Sequence, residues 1–213
     1  MNTLIDNDVL HKSLLYGLTE ELILAINANQ ASAILGAAPF LIRKKMEKLV
    51  PELRQPALER LSATLATVQI LEPTGEEIAH AAELELAAQL AGVDLDPGES
   101  QLCAAMLRRS LDRLITGDKR AIAALEVLLG SRSELNAMAG KVLCLEQCFI
   151  LSLSRGADHD TFRVKICGSF SPDKALAICF RCHSIEQALE DTLACLRSYV
   201  EDLRHKAPTF LAP

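Results

Sequence analysis

Asp94-Leu95-Asp96-Pro97-Gly98-Glu99 is followed, about one helix later, by Leu114-Ile115-Thr116-Gly117-Asp118-Lys119-Arg120. The first stretch is an acidic turn just before an apolar helix face formed by Leu102, Ala105 and Met106. The second is a short apolar run that ends on an acid flanked by small residues and bases. Strands that end on acids and hand over to helices are how α/β folds gather carboxylates at one edge of a parallel sheet. Thr3-Leu4-Ile5-Asp6-Asn7-Asp8-Val9-Leu10 repeats the pattern at the start of the chain. Three carboxylates delivered in this way suit a magnesium or manganese ion.

Working outward, the same alternation recurs. Leu4 and Ile5 form a first strand, and a helix is expected from Asp8, with Leu14, Leu15, Leu18, Leu22 and Ile26 at helical spacing. Ser32 to Leu35 reads as a second strand that leaves through Gly36-Ala37-Ala38-Pro39. A helix from Phe40 closes at Pro51, and another covers Gln55 to Leu65. Val68 to Leu71 is strand-like. Thr74 with Glu77 three residues on marks the start of a helix that Gly92 ends. Helices are expected at Ser100 to Arg109 and Lys119 to Leu129, and strands at Arg113 to Thr116 and Val142 to Leu145. Strand and helix in alternation predict a parallel sheet flanked by helices over residues 1–150. From about Phe149 the chain is richer in Cys, Arg and Ser. Residues 151–213 read as a mainly helical C-terminal extension that ends in a long helix, Ile185 to Arg204.

With 213 residues, half of them hydrophobic, the chain can bury a substantial core. It has no Trp and only 4% aromatic residues, so that core is mostly aliphatic. The net charge of −6 argues against a broad basic surface for nucleic acid. A local basic groove remains open to Arg43, Lys44, Lys45 and Lys48 together with Lys119 and Arg120, although such runs are more often solvated helix faces. No basic segment leading into an apolar stretch opens the sequence, and no run of about eighteen apolar residues occurs. The expectation is a cytoplasmic protein with no membrane partner, whose seven cysteines are reduced thiols, mostly small core residues. Cys179-Phe180-Arg181-Cys182-His183 has the spacing of a covalent haem site, which belongs to exported proteins. It also has two ligands for zinc, with His183, Cys167 or the Cys144 and Cys148 pair to complete the set. No glycine-rich phosphate loop and no nucleophile motif is present, which argues against a kinase, a dehydrogenase or a Ser hydrolase.

The ordered set Leu4-Ile5-Asp6-Asn7-Asp8-Val9-Leu10, Asp96-Pro97-Gly98-Glu99 and Leu114-Ile115-Thr116-Gly117-Asp118-Lys119 resembles the acidic motifs of PIN-domain proteins, over roughly Met1 to Leu151. That family consists of metal-dependent nucleases and includes the toxin ribonucleases of toxin–antitoxin pairs. The resemblance implies a Mg²⁺- or Mn²⁺-dependent ribonuclease with Asp6, Glu99 and Asp118 as catalytic metal ligands. Asp96 and Asp8 would assist, and Thr116 and Asn7 would orient the ligands. It also implies an RNA substrate, a protein inhibitor and a homodimer.

The chain departs from the family at one point. A further Glu is expected on the helix after the second strand, where this chain has Ala38-Pro39-Phe40-Leu41-Ile42-Arg43-Lys44-Lys45-Met46-Glu47. Glu47 is a candidate a turn late. A missing carboxylate weakens divalent binding, so the alternative is a catalytically weak or inactive PIN-like module that binds a protein or nucleic-acid partner. Taken singly, Asp6 and Asp118 can also be read as helix caps, and Asp96 to Glu99 as a turn with an acid at a helix N-terminus.

Overall fold

The computed structural model describes residues 3–27, 31–168, 173–184 and 186–213. Its five strands are β1 (Thr3–Ile5), β2 (Ser32–Leu35), β3 (Gln69–Leu71), β4 (Arg113–Thr116) and β5 (Val142–Cys144). All pair in parallel, in the order β3-β2-β1-β4-β5. Eleven α-helices are described: α1 (Asn7–Tyr16), α2 (Thr19–Asn27), α3 (Ala38–Met46), α4 (Pro51–Leu65), α5 (Gly75–Ala91), α6 (Pro97–Arg108), α7 (Lys119–Leu128), α8 (Leu145–Ser154), α9 (His159–Gly168), α10 (Lys174–Cys179) and α11 (Leu189–Lys206). A 3₁₀ turn, Ser133–Met138, precedes β5. The α/β class, the parallel sheet and the mainly helical C-terminal region are as the sequence predicts.

Period-two alternation in the strands divides the core into two layers. Ile5, Ile34, Ile115 and Leu143 point to one face, where α1 to α4 and α8 to α10 pack. Leu4, Ala33, Leu35, Leu114 and Val142 point to the other, under α5, α6 and α7. Four aromatic rings pack together on the first face. Phe149 meets Phe162, Phe180 and Tyr16 edge to face, at centroid distances of 5.8, 6.0 and 6.4 Å. Phe162 and Phe180 thereby tie α9 and α10 into the same core as α1. Helix α11 gives Leu196 to the first layer and Val200 and Leu203 to the second, and Leu211 bridges Val142 at the β5 edge.

The boundaries differ from expectation in several places. The helix expected from Asp8 through Ile26 is two helices, because Gly17 at φ +63° ends α1. The Gly17 and Leu18 N–H groups return to the Leu14 and Ser13 carbonyls, a C-terminal cap that only a left-handed residue closes. Pro51 does not stop α3, which ends at Met46; it opens α4, whose missing first-turn donor costs nothing. Leu145 belongs to α8 rather than to β5. The last helix begins at Leu189; Ile185, where it was expected to start, lies outside the described residues. The Thr74 cap is reciprocal: Glu77 N–H donates to Thr74 Oγ1 and Thr74 N–H donates to Glu77 Oε2.

Cys167 and Cys182 form a disulfide, which corrects the expectation of seven reduced thiols. Among the described residues no helix is long and apolar enough to cross a membrane.

Candidate metal centre

From β1 the chain proceeds to β2 and β3 on one side, then returns to build β4 and β5 on the other. Connections that leave neighbouring strands in opposite directions open a crevice at their carboxyl ends. In this protein the crevice is a cavity of about 620 Å³ beyond β1 and β4, with Asp6, Asp8, Asp96, Glu99 and Asp118 in its walls. The register sets Ile5 opposite Ile115, so the residues just after both strands arrive side by side.

Each carboxylate stands at a helix start. Asp118 is the N-cap of α7: its Oδ1 accepts from the Arg120 and Ala121 N–H groups at 2.8 and 3.2 Å, and its Oδ2 pairs with the Arg120 guanidinium at 3.0 Å. Burial alone would raise its pKa, but Arg120 and these backbone donors outweigh burial and hold it below the usual value. The cap reading thus holds for Asp118 alongside its place in the cleft. Asp6 and Asp96 occupy the N-cap positions of α1 and α6 without side-chain capping bonds. Asp6 is 7% exposed and accepts a long hydrogen bond, 3.3 Å, from Thr116 Oγ1. Burial first, and Asp8 second, raise its pKa.

Glu99 completes the group. Asp96, Glu99 and Asp118 each offer a carboxylate oxygen within 4.8 Å of the others. Burial, with the charges of Asp6, Asp118 and Asp96 adding to it, pushes the Glu99 carboxyl up to about 7. Its Oε2 is buried with no hydrogen-bond partner among the described residues. A buried carboxyl crowded by other acids resists ionisation, as Glu99 does, and a cation among them would remove that penalty. The donor set, all oxygen, suits a hard divalent ion such as Mg²⁺ or Mn²⁺.

Asp8 is differently placed. It pairs at 2.6 Å with Lys12, whose ammonium also reaches Asp173 at 2.8 Å. Burial alone would lower the Lys12 pKa, but its hydrogen bonds to Asp173 and Asp8 dominate and raise it. A Cβ on Gly117 would lie 2.6 Å from Asp8 Oδ2, so glycine lets this carboxylate approach the loop that carries Asp118. Of the basic run on α3, Lys45 lines the cleft; Arg43, Lys44, Lys48 and Glu47 do not. Asn7 lines it too. Lys119 lines it as well, while its ammonium pairs with Glu146 and lies 4.7 Å from the Tyr199 ring centre.

Sequence reasoning missed Lys12, Asp173, Glu146 and Tyr199. Lys12 was within reach as the i+4 partner of Asp8. Glu146 follows β5 as Asp6 follows β1, the same strand–acid–helix signal. Nothing local announces Asp173, 161 residues from the lysine it meets.

The zinc expectation at Cys179 and Cys182 is corrected: Cys182 is bonded to Cys167, so it offers no thiolate in this form. Cys179 is buried, and burial together with neighbouring Cys195 raises its pKa strongly. Burial likewise pushes the Cys103 thiol up to about 12, as befits a core residue.

No protein-family model and no curated protein matches the chain. Among solved structures it is similar to a chain of VapBC2 from Rickettsia felis, in a crystal structure of that complex bound to a DNA fragment from their promoter. The identity is 12% and the TM-score 0.46, over 55% of this chain and 89% of that one.

Proposed function

We propose that this chain is a PIN-like ribonuclease that uses Mg²⁺ or Mn²⁺ to hydrolyse RNA phosphodiesters at the carboxyl edge of its sheet. One observation carries the reading: Asp96, Glu99 and Asp118 each offer an oxygen within 4.8 Å of the others, and Glu99 Oε2 is buried with no partner among the described residues. Asp6, Glu99 and Asp118 would hold the cation, with Asp96 beside Glu99 and Asp118 and with Asp8 assisting from beside the loop that carries Asp118. The bound ion would supply an activated water and offset charge on the phosphoryl oxygens. Thr116 steadies Asp6, and the capping bonds of Asp118 fix its rotamer before any ligand arrives. Lys45 and Arg120 offer positive charge to a phosphate on the cleft walls. Hydrolysis adds water across one P–O bond and leaves a phosphate end and a free hydroxyl.

A second reading is a PIN-like module that binds a protein or nucleic-acid partner without cutting. Two observations favour it: a lysine, not an acid, faces the cleft from α3, and Lys12 already neutralises Asp8. On either reading the resemblance leads us to expect a cytoplasmic homodimer with a cognate protein inhibitor. Incubating labelled RNAs with Mn²⁺ or Mg²⁺ separates the two readings. Cleavage abolished both by EDTA and by Asp118→Asn supports the nuclease. Intact RNA in the presence of well-folded protein and either metal supports the binding module.

A further inference from the structure

Glu146 is 1% exposed, yet it is a carboxylate. Its Oε1 pairs with Lys119, and its Oε2 is buried with no partner among the described residues. A charge this deep with half its hydrogen-bonding capacity unmet is costly, and the fold gains little stability from keeping it. Lys119 directly follows Asp118, and it lines the cleft. An ammonium at that position, if it folded toward the acids, would occupy the space between Asp118 and Glu99. Instead the ammonium is paired with Glu146 and lies over the face of Tyr199, 4.7 Å from the ring centre.

We propose that Glu146 is a positioning residue that keeps Lys119 out of the acidic cluster, so that the carboxylates stay available to a divalent cation. Glu146 touches neither cation nor substrate; it acts only through Lys119. The inference rests on the metal-dependent reading above. Asp118 has the opposite arrangement on its other side. Arg120 does pair with it, through Oδ2, but that guanidinium is largely solvent-exposed. Lys119 is less exposed than Arg120, and the partner that holds it, Glu146, lies inside the fold.

Mn²⁺ titration of the full chain by calorimetry, with bound ion counted by electron paramagnetic resonance, tests this on three proteins: native, Glu146→Gln, and the double variant Glu146→Gln with Lys119→Met. Freed from its partner, Lys119 should weaken Mn²⁺ binding in Glu146→Gln on the order of 10- to 100-fold. Removing the ammonium in the double variant should restore affinity to within roughly threefold of native. A purely structural role for Glu146 predicts no such rescue. Native affinity in Glu146→Gln would overturn the proposal, as would a double variant that stays as weak as the single one. A native protein that binds no Mn²⁺ would overturn the metal-dependent reading itself, a different result from either. If Glu146→Gln does not fold, Glu146→Met with Lys119→Met replaces the pair by apolar groups of similar volume. Native-like Mn²⁺ affinity there supports the proposal, and lost affinity in a folded protein overturns it.

Discussion

The corner where β1 meets α1 and the corner where β4 meets α7 are built alike, and they treat their aspartates in opposite ways. Each is a buried strand, then an aspartate at a helix N-cap, and the two strands are hydrogen-bonded neighbours. At the β4 corner Asp118 collects two backbone donors and a guanidinium, so it ionises readily. At the β1 corner Asp6 is more deeply buried, caps nothing with its side chain and faces Asp8, so it holds its proton to higher pH. The same local pattern therefore yields one carboxylate whose pKa is held below the usual value and one whose pKa is raised above it. Electrostatic character here is a property of the neighbours, not of the motif.

The largest expected effect breaks the β4 corner. Asp118→Asn keeps a good capping residue, so thermal unfolding should move little, while metal-dependent cleavage should fall by more than about 100-fold. Equal loss of folding and activity would mean that Asp118 serves only the helix. Next comes the tie behind the β1 corner. Lys12→Met removes the ammonium that Asp8 and Asp173 share and should cost about 2 kcal/mol in urea unfolding. An unchanged midpoint would show the tie to be idle.

Glu99 sits between the corners, and its carboxyl is pushed up to about 7 from an ordinary 4.5. Between those values the folded chain binds more protons than the unfolded one, so stability should fall as pH rises through that window. The group is half exposed, and discounting for solvent leaves about 1–2 kcal/mol. Melting curves from pH 4.5 to 7.5 in EDTA should show the decline, and Glu99→Gln or added Mn²⁺ should flatten it. A flat native profile in EDTA would contradict the crowding of acids. The smallest effect sharpens the comparison most. Asp6→Asn removes a disfavoured buried charge and should raise stability by about 1 kcal/mol, while abolishing cleavage as thoroughly as Asp118→Asn. Denaturant midpoints and cleavage rates measured side by side would show whether the two aspartates differ in stability but agree in function.

Much of the frame was legible from residue order. The strand–acid–helix repeats at Asp6 and Asp118, and the alternation of Leu4 with Ile5, follow from local periodicity. The Thr74 and Glu77 cap lies within one helical turn. Errors fell where a single residue changes the backbone's course, as at Gly17, or where a proline has two uses, as at Pro51. The basic run on α3 could be read as basic, but not which lysine faces the cleft, since that depends on how the helix sits on the sheet.

By itself the sequence determined the class of fold and the identity of the acids, because both depend on periodicities of two and of 3.6 residues and on helix-start chemistry. Tertiary structure decided the rest. Parallel register and the reversal of strand order between β1 and β4 set Asp6 and Asp118 in the walls of one cleft, and packing brought Asp96 and Glu99 within reach of Asp118. Packing alone joined Lys12 to Asp173 and Lys119 to Glu146, across 161 and 27 residues of chain. It also decided the charge each acid carries, because burial and Coulomb forces act through space and take no account of order along the chain.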